Sequence, residues 1–320
     1  MDAGSPDHEY AGLPPGHRHP HPRPGRSEDP DAPPGIGFVG AGPVGLTLGR
    51  AFAAAGWPVV AVASRDPMRR ATFRAAVPAA RAFPEPAGVL DEASIIFLTV
   101  PDDAIATVAA GLRLYSGQAI VHTSGALGLD VLAPALAAGT MAGSFHPLVA
   151  FADPEAALAA LPGATIAIEG DEPMTALLRE MAEAIGGQAV RIPPGGGKAA
   201  YHAAAVLSAG GFVALLDAIA ELGRGAGLDE AGSLAIFGPL IRQSLANAER
   251  LGIEAALTGP IARGDSGTLR AHLAAMRALA PGAIELYVAA ARREIALALG
   301  RGTIDADGAA RLAAVIAGEA

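Results

Sequence analysis

The stretch Ile36-Gly37-Phe38-Val39-Gly40-Ala41-Gly42-Pro43-Val44-Gly45 joins a short apolar strand to a helical pattern that begins at Leu46. Its last six residues follow G-x-G-x-x-G, in the context of a preceding strand and a following helix where this pattern binds a dinucleotide. We expect Gly40 to allow the tight turn, Gly42 to let the backbone approach a pyrophosphate, and Gly45 to let helix and strand pack closely. The helix N-terminus would hold the anion through its free N–H groups and its dipole. A glycine-rich turn without a ligand is the alternative.

The end of the second predicted strand, residues 58–63, indicates which dinucleotide binds. An NAD site has Asp or Glu there, to accept a hydrogen bond from the ribose 2′-hydroxyl. This chain has Ser64 and Arg65 instead, and three further arginines follow by residue 74. A hydroxyl and a guanidinium suit the 2′-phosphate of NADP, while Asp66 comes one residue late for the usual NAD role. We therefore predict NADP, with NAD as the alternative.

Strand and helix patterns alternate through the first half of the chain, which predicts an α/β fold with a doubly wound, mostly parallel sheet of the Rossmann type. Beyond the first two strands we expect five more, at 94–100, 118–121, 141–145, 165–169 and 189–192. Ligands bind at the carboxyl ends of such strands. Four polar residues fall at those ends, and we expect them near the nicotinamide and the substrate: Thr99, His122, Ser124 and His146. A structural hydrogen bond in a loop is the alternative for each histidine.

Lys198 is the only lysine among the 23 lysines and arginines of the chain. It follows the run Pro193–Gly197 and opens a long helical pattern on which Lys198, Tyr201 and His202 share one face. Lysine, unlike arginine, can give up a proton. Burial and the helix N-terminus would both lower its pKa from about 10.4, so we predict that Lys198 donates a proton to a developing alkoxide. A chance survivor of a coding bias toward arginine is the alternative.

From Lys198 onward the sequence shows only helical patterns, which predicts an all-helical C-terminal domain. One connecting loop, Leu257–Asp265, carries a hydroxyl, two glycines and an arginine. Thr258 and Arg263 could bind a substrate carboxylate there. A plain turn, with Asp265 capping the next helix, is the equally weighted alternative.

Composition limits the class of protein. A chain of 320 residues, 51% hydrophobic and 17% charged, has room for two domains with large cores. The absence of cysteine excludes disulfides, thiolate metal sites and a cysteine nucleophile. A net charge of −9 argues against nucleic acid or an anionic membrane as the main partner. No stretch has the pattern of a membrane span, because the most apolar segment, 199–220, contains His202 and Asp217.

The first 34 residues are polar and rich in proline and histidine, so we expect a disordered tail. They contain no apolar signal core, and a cytoplasmic location is expected. His17, His19 and His21 could bind a metal adventitiously, but we assign the protein no metal site. We therefore predict a tail over 1–34, an NADP-binding Rossmann domain over 35–194, and a helical domain for substrate binding and dimerisation over 195–320.

From Gly35 to about Leu299 the chain resembles the family that joins a Rossmann-like domain to domain of unknown function 2520. That family belongs to the 6-phosphogluconate dehydrogenase C-terminal-like superfamily, with ketopantoate reductase, pyrroline-5-carboxylate reductase and the 3-hydroxyacid dehydrogenases. The resemblance rests on six stretches: Gly40–Gly45, Val100-Pro101-Asp102-Asp103, His122-Thr123-Ser124-Gly125-Ala126, Ser144-Phe145-His146-Pro147-Leu148, Lys198-Ala199-Ala200-Tyr201-His202 and Leu257–Asp265.

The resemblance implies an activity and several residue roles. Some members of the family are assigned as alternative ketopantoate reductases, which implies NADPH-dependent reduction of 2-dehydropantoate in pantothenate biosynthesis. Lys198 matches a lysine that opens the long helix across the superfamily, and His202 takes the position of an Asn. Ser124-Gly125 resembles a substrate-contacting segment of the hydroxyacid dehydrogenases, and His146-Pro147-Leu148 resembles a turn of prephenate dehydrogenases. A homodimer formed through the helical half is also implied.

We therefore expect an NADPH-dependent 2-oxo acid reductase, with 2-dehydropantoate as the leading substrate. The catalytic candidates are Lys198, His202, Ser124 and His146. The cofactor-binding candidates are Gly40, Ala41, Gly42, Pro43, Val44, Gly45, Ser64, Arg65, Thr99, Val100, Pro101 and His122. The substrate-binding candidates are Thr123, Gly125, Thr258 and Arg263. The alternatives are an imine reductase of the pyrroline-5-carboxylate type, a prephenate dehydrogenase-like enzyme and an NADP-binding sensor without turnover.

Overall fold

The structure, a computed structural model, describes residues 33–137, 139–192 and 197–318. Most of the predicted tail, residues 1–32, lies outside the described residues, and so does Pro193–Gly196 before Lys198. The strands are β1 Ile36–Val39, β2 Val59–Ala63, β3 Arg81–Phe83, β4 Ile95–Leu98, β5 Ala119–His122, β6 Met141–Pro147, β7 Thr165–Gly170 and β8 Gln188–Arg191. The helices are α1 Pro43–Ala54, α2 Pro67–Ala76, α3 Ala87–Leu90, α4 Asp102–Gly111, α5 Ala133–Ala137, α6 Pro154–Ala160, α7 Glu172–Ala184, α8 Gly197–Val206, α9 Phe212–Gly225, α10 Glu230–Leu251, α11 Ile253–Ala256, α12 Ser266–Leu279, α13 Ile284–Arg301 and α14 Ala306–Ala317.

The eight strands form one sheet in the order β3-β2-β1-β4-β5-β6-β7-β8. Neighbouring strands are parallel except β6 and β7, which are antiparallel. This confirms the predicted Rossmann-type, mostly parallel sheet. The strand order reverses between β1 and β4, and ligands bind at the carboxyl ends of the strands beside such a point. Strand β3 was not predicted, because its three edge residues are too few to show a pattern.

Helices cover both faces of the sheet, so its central strands are buried throughout and read as continuous apolar runs. On one face, phenylalanine rings pack with neighbouring centroids 5.4–5.8 Å apart: Phe38, Phe52, Phe97 and Phe145. The other face carries smaller apolar side chains on β1 and β4, such as Val39 and Leu98. Beyond β4 that second face carries polar residues in the row that pairs with Leu98, beginning with His122 of β5.

Six helices begin at an aspartate whose carboxylate accepts a hydrogen bond from a backbone N–H of the first turn: α2 at Asp66, α6 at Asp153, α7 at Asp171, α10 at Asp229, α12 at Asp265 and α14 at Asp305. Each such cap stabilises its helix by about 1 kcal/mol. The starts of these helices are therefore determined by the local sequence.

The chain divides into two compact units, the first ending at Ala203 and the second beginning at Ala204. This division lies inside α8, whereas the sequence placed the domain boundary after residue 194. The described part of the second unit is helical, as predicted, and the last three helices pack around their own core: Leu269, Leu273, Val288, Ala291 and Leu312. A π-helical turn, Leu207–Gly211, joins α8 to α9.

The continuous helix Gly197–Gly225 is long and apolar enough to cross a membrane by length and composition alone, and little of it is buried. The sequence predicted no such span. One such helix is weak evidence for a membrane span, because the core helix of a soluble protein meets the same criteria.

Candidate functional site

The glycine-rich loop after β1 is packed tightly against the end of β4. Gly40 has φ +116°, and a Cβ built on it would lie 2.4 Å from the backbone oxygen of Thr99. A Cβ on Gly45 would lie 2.3 Å from the carbonyl oxygen of Gly40. The Thr99 hydroxyl donates a hydrogen bond to that same carbonyl at 2.7 Å. Both glycines are therefore required by the turn and by close packing, and Thr99 holds the loop in place.

Gly42 differs from its two neighbours, because nothing in the protein crowds it. It is the N-cap residue of α1, with φ −74°, and a Cβ there would have as its nearest neighbour the Arg69 guanidinium at 3.9 Å. The free N–H groups at the start of α1 are unpaired within the helix. No contact among the described residues requires glycine at position 42. A glycine there fits a backbone that a phosphate approaches closely.

The end of β2 presents a hydroxyl and several guanidinium groups. The Asp66 carboxylate accepts hydrogen bonds from the backbone N–H groups of Met68 and Arg69 at 2.8 and 3.3 Å. The carboxylate nearest to the end of β2 is therefore occupied in capping α2. Arg70 donates to the backbone oxygens of Ser64 and Arg65 at 2.5 and 3.2 Å, and so fixes this loop.

A polar row crosses three adjacent strands. In the sheet register His122 of β5 lies opposite Ser144 of β6, which lies opposite Glu169 of β7. Directly paired residues point to the same face. The row continues the line of Val39 and Leu98 on β1 and β4, so it occupies the face that is apolar under the first strands.

The Lys198 ammonium lies over this polar row. Its Nζ donates to Glu169 Oε2 at 2.7 Å and to Ser144 Oγ at 3.0 Å. The side chains of Lys198 and Glu169 are only 5% and 9% exposed. The sequence predicted Lys198 as a proton donor but did not indicate the carboxylate beside it. An ammonium has three N–H donors, so one remains for a ligand.

Two further histidines surround the backbone of Gly125, which follows β5. A Cβ on Gly125 would lie 2.5 Å from the rings of both His146 and His202. The centroids of those two rings are 5.7 Å apart, and the Tyr201 ring lies 6.0 Å from His146. The segment after β5, the segment from β6 and the start of α8 therefore converge on one point.

Several polar atoms of this cluster are buried without a hydrogen-bond partner among the described residues: both ring nitrogens of His122, Nδ1 of His146, Nδ1 of His202 and the Tyr201 hydroxyl. Buried polar groups are normally paired, so such a concentration marks a place where a polar ligand or water binds. Thr47 Oγ1 on α1 is a further buried oxygen of this kind.

Burial sets the protonation of the histidines. It lowers the pKa of His122 to about 3, assisted by the charge of Lys198. The Gly128 backbone opposes this shift slightly, although it makes no hydrogen bond of ordinary geometry with the ring. Burial, His202 and Lys198 lower the pKa of His146 to about 4, against a smaller opposing effect of Asp102. Both imidazoles are therefore neutral near pH 7, and each offers one donor and one acceptor.

Ser124 makes its hydrogen bonds within the protein. Its hydroxyl donates to Asp102 Oδ2 at 2.6 Å and accepts from the N–H groups of Ala126 and Leu127, both at 3.1 Å. It therefore shapes the loop that carries Gly125, rather than presenting a free hydroxyl. Thr123 likewise donates to the Leu98 carbonyl oxygen at 3.3 Å.

The structure brings together His122, Gly125, His146, Lys198 and His202, which the sequence assigned to the site. The residues Val100 and Pro101 follow β4 directly and lead into α4. Thr258 and Arg263 belong to the second unit, where both are exposed. The Asp265 carboxylate beside them caps α12 through Thr268, as the turn interpretation expected.

Three residues of the cluster were missed by sequence reasoning: Asp102, Ser144 and Glu169. Glu169 gave the one available signal, a carboxylate that directly follows the buried apolar residues of β7. Its partner depends on the antiparallel register of β6 and β7, which no local pattern reveals. Within the described residues, no group of three or more histidines and carboxylates has the arrangement of a metal site.

Residues 24–147 match the model of the Rossmann-like domain family, and residues 164–294 match Domain of unknown function (DUF2520). The chain is a Rossmann-like and DUF2520 protein. The two matches cover both the glycine-rich loop and the helix that carries Lys198, so this family assignment includes the whole cluster described above.

Solved structures share the fold of this Rossmann-like and DUF2520 chain. A provisionally named NADP oxidoreductase from Bacteroides fragilis is 22% identical over 81% of this chain and 97% of its own, with a TM-score of 0.67. Protein TM1727 from Thermotoga maritima is 26% identical over 83% and 99%, with a TM-score of 0.63. A reductive aminase from Aspergillus terreus, in complex with NADPH, is 18% identical over 88% and 92%, with a TM-score of 0.56. No curated protein matches the chain at a significant level of sequence similarity.

Proposed function

We propose that this protein is an NADPH-dependent reductase of a small carbonyl compound, with the 2-oxo acid 2-dehydropantoate as the first candidate substrate. The observation that carries the proposal is the position of the Lys198 cluster. It lies on the same sheet as the glycine-rich loop, beside the ends of the next strands beyond β4. Sheets of this kind bind a nucleotide and its substrate at those ends.

The residues present fit a dinucleotide phosphate. Gly42 leaves open space at the N-terminus of α1, and Gly40 and Gly45 shape the loop around it. Ser64 and Arg65 are available for a 2′-phosphate because Asp66 is occupied with capping α2. Two of the structural relatives carry NADP or NADPH in their names, which supports the choice of NADP over NAD. When bound, the cofactor supplies a hydride.

The chain's own groups would bind and polarise the substrate. The third N–H of the Lys198 ammonium is the strongest donor for a carbonyl oxygen that gains negative charge. The neutral rings of His146 and His202 can each donate or accept one hydrogen bond from neighbouring substrate atoms. Burial keeps water away from these groups and so strengthens each of their interactions.

An imine substrate is the second candidate, and one observation favours it. The positive charge of Lys198 is already balanced by Glu169, so this part of the cluster offers no free cation for a substrate carboxylate. A cyclic imine without a carboxylate needs no such cation, unlike pyrroline-5-carboxylate. The relative named as a reductive aminase belongs to an enzyme class that handles this chemistry. Thr258 and Arg263 remain the predicted carboxylate-binding residues if the substrate is a 2-oxo acid.

The deciding experiment is NADPH oxidation by the purified protein with 2-dehydropantoate and, separately, with a cyclic imine, each repeated with NADH. Lys198→Arg is the informative variant, because it keeps a cation beside Glu169 while removing a group that can release a proton. We expect turnover to fall by about 10²–10⁴-fold with NADPH affinity unchanged. If the protein binds NADPH but reduces no keto acid or imine with it, the proposed reductase function is wrong and an NADP-binding sensor takes its place.

We also propose a homodimer formed through the helical unit. Of the twenty large apolar side chains exposed among the described residues, eleven lie between positions 206 and 253. They are Val206, Leu207, Phe212, Val213, Leu215, Leu234, Ile236, Leu240, Leu245, Leu251 and Ile253. Soluble monomers seldom expose so many neighbouring apolar groups, and a second copy of the chain would cover them.

A further inference from the structure

The ion pair between Lys198 and Glu169 differs from every other one among the described residues. The other four pairs use arginine, and in each of them at least one side chain is about half exposed or more. The Lys198–Glu169 pair is almost fully buried. In a chain that uses arginine for every other positive charge, the one buried pair contains the one lysine.

Stability does not explain this choice. Removing two charges from water costs free energy that their attraction repays only in part, and apolar side chains of the same volume often serve a fold better. An arginine would pair with a carboxylate more firmly through two parallel hydrogen bonds. The buried pair therefore points to a role that needs a compact ammonium with a donor left over.

In the part of the chain that the structure describes, Glu169 is the only carboxylate that contacts this ammonium. The strand β6 contributes the neutral Ser144 hydroxyl and the His146 ring, and β5 contributes the neutral His122 ring. On α8, Tyr201 and His202 face His146.

The carboxylate from α4 serves another part of the cluster, because Asp102 accepts the hydrogen bond of Ser124. Within residues 33–137, 139–192 and 197–318, the negative charge in contact with Lys198 thus comes from β7.

We propose that Glu169 is a positioning residue of the site, which holds Lys198 as an ammonium and directs its remaining N–H to the reacting atom. The inference rests on the proposed reductase function. Glu169 Oε2 and Ser144 Oγ hold two of the three N–H groups, so the direction of the third is fixed by geometry. A hydride added to the carbonyl carbon leaves an alkoxide, which takes a proton from Lys198. Glu169 then favours the return of a proton from solvent to the amine.

The chain offers an unusually clean test, because lysine labelled with ¹⁵N gives a single side-chain resonance that needs no assignment. The resonance is followed through a pH titration of the full-length protein, in the wild type and in Glu169→Gln. We expect the ammonium of the variant to lose its proton at a lower pH than that of the wild type. An equal or higher midpoint in the variant would overturn the proposal.

The control variant is Glu172→Gln, two residues after β7, which makes the same chemical change in an exposed ion pair with Arg191. It should leave both the Lys198 titration and NADPH oxidation as in the wild type. Glu169→Gln should lower kcat by about 100-fold with little change in NADPH affinity, because the donor is misdirected. If the pH–rate profile of Glu169→Gln shifts in the same direction as its NMR midpoint, the loss of activity comes from Lys198 rather than from a general disturbance of the fold.

Glu169→Asp keeps the charge and shortens the side chain, so it should recover part of the lost activity. If Glu169→Gln does not fold, Glu169→Asp takes its place in the titration. We then expect the midpoint of Lys198 to shift in the same direction, but by less. The NMR arm requires no turnover. If the wild type reduces no substrate while the midpoint still shifts, the reductase function fails but the Glu169–Lys198 coupling stands.

Discussion

Replacing Gly42 and Gly45 separately by alanine distinguishes a glycine kept for a ligand from a glycine kept for the fold. The Gly42 backbone, with φ −74° and ψ −176°, suits any residue, and its Cβ would meet nothing closer than 3.9 Å. A Gly-to-Ala change at such a position stabilises a protein by about 0.4–1 kcal/mol, because it restricts the unfolded chain. We therefore expect Gly42→Ala to unfold at the wild-type temperature or slightly above it.

The expected effect of Gly42→Ala on binding has the opposite sign. A methyl group at the N-terminus of α1 would occupy space that the pyrophosphate needs, at a cost of about 1–3 kcal/mol for a forced overlap. That cost corresponds to a rise in the NADPH dissociation constant of about 5- to 150-fold. Calorimetric titration with NADPH measures it directly, and circular dichroism melting measures stability on the same samples.

Gly45→Ala should show the other pattern. Its Cβ would lie 2.3 Å from the Gly40 carbonyl oxygen and 2.6 Å from Thr99 Oγ1, so helix and loop must separate. We expect a loss of about 1–3 kcal/mol in stability together with weaker binding. Gly111→Ala is the matched control, since Gly111 ends α4 with open space around it, and it should bind NADPH normally. Normal NADPH affinity in Gly42→Ala would refute the placement of the pyrophosphate.

Two further predictions concern pH and assembly. The pKa of His122 is about 3 and that of His146 about 4 in the folded protein, against about 6.5 in the unfolded chain. Between pH 6.5 and pH 4 the unfolded chain therefore binds more protons than the folded protein. Stability should therefore fall as the pH drops from 6.5 towards 4, by up to about 1.4 kcal/mol per pH unit for each ring. Melting temperatures across that range check this, and His122→Gln should reduce the slope; an equal slope in that variant contradicts it. For assembly, light scattering should give twice the 31.8 kDa chain mass for the wild type and for Met68→Glu, whose side chain is exposed in the first unit. Leu207→Glu should give the monomer mass, whereas a monomeric wild type that binds lipid vesicles would assign the apolar surface to a membrane.

The sequence was a good guide wherever one local feature decides the structure. Gly40 to Gly45 fix a turn and a helix start through their own backbone demands, and the predicted cap at Asp265 marks the start of α12. The carboxyl-end rule also placed His122 and His146 at the same edge of the sheet, because parallel strands bring their ends together there.

The sequence was a poor guide to the partner of Lys198. Glu169 lies near the end of β7, which is antiparallel to β6. This pairing places its side chain beside Ser144, 25 residues away in the chain. The prediction of Lys198 as a proton donor rested on burial and the helix N-terminus, and no local pattern indicated a carboxylate beside it. Pairwise register between distant strands is a tertiary property, and single-sequence patterns do not contain it.

Side chains alternate between the two faces of a strand, so His122, Ser144 and Glu169 align only when β5, β6 and β7 are paired in the native register. A slip of one residue would turn Ser144 away from Lys198. The ammonium contact also requires the start of α8 to dock, which closes loops of 29 and 54 residues to its two partners. Such long-range closures form late in folding. During refolding, the native Lys198 resonance should therefore return after the helical signal and mark the moment when the sheet is complete.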